Sequence, residues 1–166
     1  MESVPDPVTD PTGFVRATQG EVWRFAAALV DPGTADDLTQ ETYLRAFRGL
    51  GDFAGRCSVR TWLLAIARNV CADHIRTLQR RRRLDGRLDG PEPVPDPAGL
   101  IGATDLLRGL PEERRQAFAL TQLLGLSYEE AAAACGVAVG TIRSRVARAR
   151  MQLVAAATAD PAGTSR

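Results

Sequence analysis

The chain has 166 residues, 45% of them hydrophobic and 25% charged, with a formal net charge of +1. That balance excludes disorder throughout, and no apolar run approaches the ~18 residues of a membrane span. Few aromatics beside abundant Ala, Leu and Arg favour helices over sheets.

Residues 1–13 include the acidic, proline-bearing start "MESVPDPVTDP". It is no signal peptide and reads as a disordered tail, so a cytoplasmic protein is expected. The first helix follows from Val15, Val22, Phe25, Ala26 and Leu29 at helical spacing, with "DPG" at 31–33 as its stop. A second helix is predicted from about Thr34 to Leu50, closed by Gly49 and Gly51. It should bury Leu38, Thr42, Tyr43, Ala46 and Phe47. Asp37, Gln40, Glu41 and Arg48 remain outside with Leu44 exposed among them, a pattern that suits protein docking. The third helix is predicted from Val59 through "QRRRR", with Val59, Leu63, Ile66, Val70 and Leu78 along one side.

"LDGRLDGPEPVPDPAG" (84–99) interrupts the pattern. Its prolines and glycines cannot sustain a helix, and it reads as a flexible linker. The second block, 100–157, begins its clear periodicity at Pro111, followed by Glu112 and Glu113, which suit a helix start. That helix should reach Leu124 and stop at Gly125. "SYEE" (127–130) has the capping-box pattern and opens a short helix through Cys135. Gly136 breaks it, and Thr141 is expected to cap a final helix reaching about Ala157, before a tail at 158–166. The fold class is all-α, with two small helical domains at 14–83 and 100–157.

Charge is segregated along this plan. Residues 14–85 carry +4, 86–110 carry −2 and 111–157 carry +2, and all 21 basic side chains are arginine. Arginine grips phosphate and guanine in two-pronged fashion where lysine cannot. "GTIRSRVARAR" (140–150) holds four arginines and no acid. Residues 128–146 have helix-turn-helix spacing, with Ala132 at the close contact, Gly136 at the turn, and Ile142 and Val146 pinning the second helix. On the final helix, Ile142, Val146, Ala149 and Leu153 make one apolar stripe. Arg143 and Arg150 flank one side of it, Arg145 and Arg148 the other, and Ser144 and Ala147 face away. Small residues between arginines suit a helix lying in a DNA major groove. Upstream, "GDFAGRCSVRTW" (51–62) sets Phe53 and Trp62 ahead of a helix bearing Arg68, Asn69, Asp73 and Arg76, which suits unstacked bases, although Trp62 is expected in the core. The arginines at 80–83 read as a phosphate contact or a solvated helix end.

Catalysis is not expected. The single His74 follows Asp73 on one helix, where the two side chains diverge, and no phosphate cradle or metal-ligand spacing occurs. No cofactor or metal is expected. Cys57, Cys71 and Cys135 lack C-x-x-C spacing and should be reduced and mostly buried.

"DDLTQETYLRAF", "RTWLLAIARNVCADHIR" and "LLGLSYEEAAAACGVAVGTIRSRVARAR", in that order, resemble the extracytoplasmic-function sigma factors of bacterial RNA polymerase. The resemblance covers about residues 14–157 and implies a non-catalytic protein that binds core polymerase, selects promoters and helps open the duplex. It implies that Asp36, Asp37, Gln40, Glu41, Leu44 and Arg45, with the neighbouring Arg48, contact a helical clamp of the largest subunits. It implies that the loop with Phe53, Arg56 and Ser58, together with Arg68, Asn69, Asp73 and Arg76, captures a flipped base of the −10 element. Thr141, Arg143, Ser144, Arg145, Ala147 and Arg148 would read the −35 element, with Glu112 to Leu124 facing the polymerase flap. The acidic linker would thread towards the active-centre cleft, and no appended domain is expected after residue 157. An anti-sigma partner is compatible with the resemblance. The rivals are a free-standing, dimeric helix-turn-helix regulator and a pure interaction module.

Overall fold

The computed structural model describes residues 4–86 and 101–159, and among them every regular element is helical. Most of the expected linker, and the tail beyond Ala159, lie outside the described residues. Asp6 accepts backbone N–H bonds from Val8 and Thr9, and α1 (Pro11–Leu29) then starts three residues before the predicted block, inside the expected disordered tail, with Asp10 as its cap. Phe14, Val22, Phe25 and Leu29 are its buried face, as their spacing requires.

That helix stops at Leu29, just before "DPG" as expected, and the same motif begins the next helix two residues earlier than predicted. Asp31 accepts the Thr34 N–H at 2.8 Å and Pro32 occupies the first turn of α2 (Pro32–Gly49), because aspartate before proline is also a helix-start signal. Leu38, Thr42 and Ala46 turn inward as expected, whereas Phe47 is 40% exposed. Its ring lies beside Tyr43 and Phe14 at the rim of the core. Thr18 donates to the Phe14 carbonyl, so its remaining lone pairs receive the Tyr43 hydroxyl at 2.7 Å. That bond ties α2 to α1. A single 3-10 turn (Leu50–Asp52) leads to a loop and then to α3 (Val59–Leu84), which packs Leu63, Leu64, Ala67, Val70 and Cys71 against the first two helices.

The second block comprises α4 (Ile101–Arg108), α5 (Glu112–Phe118) with a π turn at Ala119–Leu123, α6 (Tyr128–Cys135) and α7 (Val139–Ala159). The predicted capping box is present: Ser127 accepts from the Glu130 N–H, and Glu130 accepts from the Ser127 N–H. Gly136 stands at φ +64°, the left-handed conformation that lets α6 turn into α7 without Cβ strain. The first α7 hydrogen bonds run back to the Ala138 carbonyl, so Thr141 lies inside the first turn and is not the cap.

The two blocks pack together, α6 against α3, and α4 and α5 against α1. Two arginines cross the seam. Arg60 forms a two-pronged pair with Glu21, at 2.7 and 2.8 Å, and also donates to the Leu124 carbonyl. Arg115 donates to the Leu29 carbonyl at 2.6 Å, satisfying a backbone oxygen at the negative end of α1. Burial pulls the Arg115 guanidinium below its ordinary pKa.

Cys71 and Cys135 are buried and Cys57 is partly exposed, all three as free thiols. Burial pushes the Cys71 thiol from 9.0 up to about 12. The folded chain therefore holds a proton that the unfolded chain releases above about pH 9. Its contribution to stability is full below that pH and lost as pH rises towards 12. At pH 8, iodoacetamide should modify Cys57 alone in the folded protein and all three thiols in denaturant. Mass spectrometry showing Cys71 labelled in the native chain would contradict this packing.

Candidate nucleic-acid interface and docking face

On α2 the buried and open sides are cleanly divided. At 100° per residue, Ala35, Leu38, Thr42 and Ala46 share the inner side. Asp36, Asp37, Gln40 and Arg48 are exposed on the outer side, Glu41 and Arg45 lie at its margin, and Leu44 sits at the middle, 52% exposed. An apolar side chain held outward by a helix and ringed by charge has the form of an interface anchor. Phe47, expected inside, widens the apolar part. The same angular count places it at the edge of the outer arc, and this is the signal that could have found it.

The loop after α2 sets the Phe53 ring 4.9 Å from Trp62, tilted by 40°, with both half-buried. Arg56 is exposed beside Gly55, whose φ of +67° makes the turn. Ser58 is exposed, and its hydroxyl also serves the start of the next helix. It accepts from the Thr61 N–H and donates to the Thr61 hydroxyl, as the cap of α3.

Along α3, Asn69, Arg76, Arg80 and Arg83 fall within one narrow arc and all are exposed. Arg68 lies a hundred degrees away. Its Nε is buried without a partner, Cys135 of α6 senses its charge, and its Nη2 donates to Asn69 Oδ1. The structure thus moves Arg68 from the open face to the α3–α6 seam. Asp73 accepts from Arg45 at 2.7 Å and from Arg76, and these two arginines hold its carboxyl below the usual range.

On α7 the predicted stripe is buried through Ile142, Val146 and Ala149, with Leu153 partly covered. The four arginines divide into two kinds. Arg145 pairs with Glu113 of α5 at 3.0 Å, and Arg150 donates to Gln122 at 2.6 Å. These brace the helix from both sides. Arg143, Ala147 and Arg148 face solvent, with Ser144 partly covered beside them and Met151 exposed one turn on. The outward strip is therefore narrower than the sequence suggests, flat in the middle and cationic at both edges. Such a strip can lie in a duplex groove and reach phosphate oxygens and base edges.

Between α4, the π turn and the end of α7 lies an open apolar groove of about 340 Å³, lined by Leu106, Leu107, Phe118, Leu123, Leu153 and Val154. Among the described residues no group of His, Cys, Asp and Glu is arranged to hold a metal ion, and no helix is long and apolar enough to cross a membrane.

The family description "Sigma-70 region 2" matches residues 14–81, and "Sigma-70, region 4" matches residues 103–153. The ECF RNA polymerase sigma factor SigC of Mycobacterium tuberculosis is 52% identical over 153 residues, spanning 89% of this chain and 83% of the relative. This chain belongs to the ECF sigma-factor family. The ECF RNA polymerase sigma-E factor of Escherichia coli is 33% identical over 150 residues, covering 80% of this chain and 78% of the relative. Among solved structures, a sigma factor RpoE in complex with the anti-sigma factor NepR, from Bartonella quintana, superposes with a TM-score of 0.79 at 31% identity, over 92% of this chain and 99% of that one. CnrH in complex with the cytosolic domain of CnrY gives 0.70 at 28% identity, over 88% and 86%. The likeness thus spans both helical blocks of this sigma factor, an alternative sigma factor for transcription initiation.

Proposed function

We propose that this ECF sigma factor docks on core RNA polymerase through the outer face of α2, with Asp36, Asp37, Gln40, Glu41, Leu44 and Arg48, and reads two promoter elements with its two blocks. Arg143, Ala147 and Arg148 of α7, with Ser144, enter the major groove of the −35 element. The Phe53 loop with Arg56, and the α3 face with Asn69 and Arg76, take an unstacked base of the −10 element. The apolar groove beside α7 receives a helix of a protein partner, either the polymerase flap or an anti-sigma factor of the kind bound to the solved relatives. The protein acts in the cytoplasm by binding, without catalysis of its own.

The observation that carries this reading is the pairing of two unlike open faces on one small chain. Leu44 stands exposed among charges on α2, and an arginine-edged strip lies bare on α7. A dimeric regulator has use for the second face alone. Footprinting separates the two: the isolated protein should protect promoter DNA weakly, and protection with strand separation should appear when core enzyme is added. Strong operator protection by the pure protein would favour the regulator.

A further inference from the structure

The polymerase-facing and DNA-facing helices of the first block are joined by a chain of four charges. Arg45, on α2, donates from Nε to Glu41 Oε1 at 2.7 Å and from Nη1 to Asp73 Oδ2 of α3 at 2.7 Å. The other Asp73 oxygen accepts from Arg76 Nη2, one turn further along α3. Both oxygens of Asp73 are therefore engaged, each by a different guanidinium. A carboxylate in this state has no proton to give to a base, and two of its four lone-pair sites are already taken by guanidinium groups. Facing a polyanion, its bare charge would also repel.

Its placement suits a different task. Arg76 is 62% exposed and projects from the same α3 arc as Asn69. A long free arginine loses considerable rotamer freedom when it settles on a ligand, and a fixed partner removes part of that loss beforehand. Asp73 is that partner, and Arg45 keeps Asp73 in place from the neighbouring helix. Pairs as exposed as these add little to folding stability, so stability does not explain why four charges converge here.

We infer that Arg45 is a positioning residue of the DNA-reading face and not a polymerase contact: it anchors Asp73, and through Asp73 it orients Arg76 towards the nucleic acid. The inference rests on the promoter-reading assignment above.

The test uses the full chain assembled with purified core RNA polymerase. Binding of Arg45→Met, Asp73→Asn, the double variant and Arg45→Lys to core is measured alongside their melting temperatures. Holoenzyme affinity is then read with a fluorescent single-stranded oligonucleotide, the non-template strand of a promoter that the wild-type holoenzyme selects. Arg45→Met should keep its melting temperature and core affinity, the latter within about twofold, and weaken oligonucleotide binding by roughly threefold or more. The loss should vanish in the Asp73→Asn background, and Arg45→Lys should recover part of it. An Arg45→Met protein that binds core poorly but holds the strand normally would overturn the inference, as would losses that multiply in the double variant. If instead the wild-type protein conferred no strand binding on core, the promoter-reading assignment itself would fall.

Discussion

Leu44→Asp is expected to abolish association with core RNA polymerase while the protein remains fully helical. Leu44 is 52% exposed at the centre of the outer face of α2, so an aspartate there meets water in the free protein and costs the fold almost nothing. In the complex the same carboxylate would be desolvated at the middle of an interface, with Asp37, Gln40 and Glu41 already near it. Central apolar anchors of this kind are worth about 2–4 kcal/mol, so the loss should be at least ~30-fold and the added charge enlarges it. Leu38→Asp supplies the contrast. It places a charge at a site only 6% exposed and should unfold the first block, losing polymerase together with its circular dichroism. Co-purification with core enzyme, alongside thermal melts, separates the two outcomes. A Leu44→Asp protein that still bound core would contradict the docking face.

The second large effect belongs to α7. Replacing Arg143 and Arg148 together with alanine should weaken recognition of the −35 duplex by the holoenzyme between about 30-fold and 10,000-fold or more, since each two-pronged arginine contact is worth about 1–3 kcal/mol. Where an arginine holds phosphate instead, its removal should lower the salt slope by about 1. Affinity for core enzyme should not change, because neither side chain lies on α2. Arg145→Ala tests the division among the arginines. Its guanidinium is committed to Glu113, so the change should cost under about 1 kcal/mol of stability and leave most duplex affinity intact. Equal losses from Arg145→Ala and Arg143→Ala in a titration against promoter duplex would show that the brace is no brace.

What could be read without coordinates follows from what is periodic. The buried faces of α1, α2 and α7 announce themselves every three or four residues, and the box at Ser127–Glu130 and the turn at Gly136 are local chemistry. Errors arose where one local signal serves two purposes. "DPG" follows the stop of α1 and also starts α2, and only the hydrogen bond from Thr34 to Asp31 reveals the second use. Ser58 has a similar double meaning, as a hydroxyl for DNA and as a cap, and its exposed side chain does cap α3. Other features depend on partners distant in the chain. Arg145 looks unopposed on its own helix because Glu113 stands on α5, and Arg68 looks open because α6 is more than fifty positions away. The seam between the blocks leaves no motif at all. Arg60 and Arg115 bond to the backbone carbonyls of Leu124 and Leu29, and a carbonyl has no sequence signature.

The account stands on the claim that one chain grips both the transcribing enzyme and two stretches of promoter. Run-off transcription with purified core RNA polymerase, on promoters from the protein's own host, tests it most directly. The account predicts discrete transcripts from a subset of promoters when the protein is added, lost with Leu44→Asp and strongly reduced with Arg143→Ala/Arg148→Ala. Initiation by core enzyme that is no more selective with the protein than without it, on every such promoter, would contradict the account at its base.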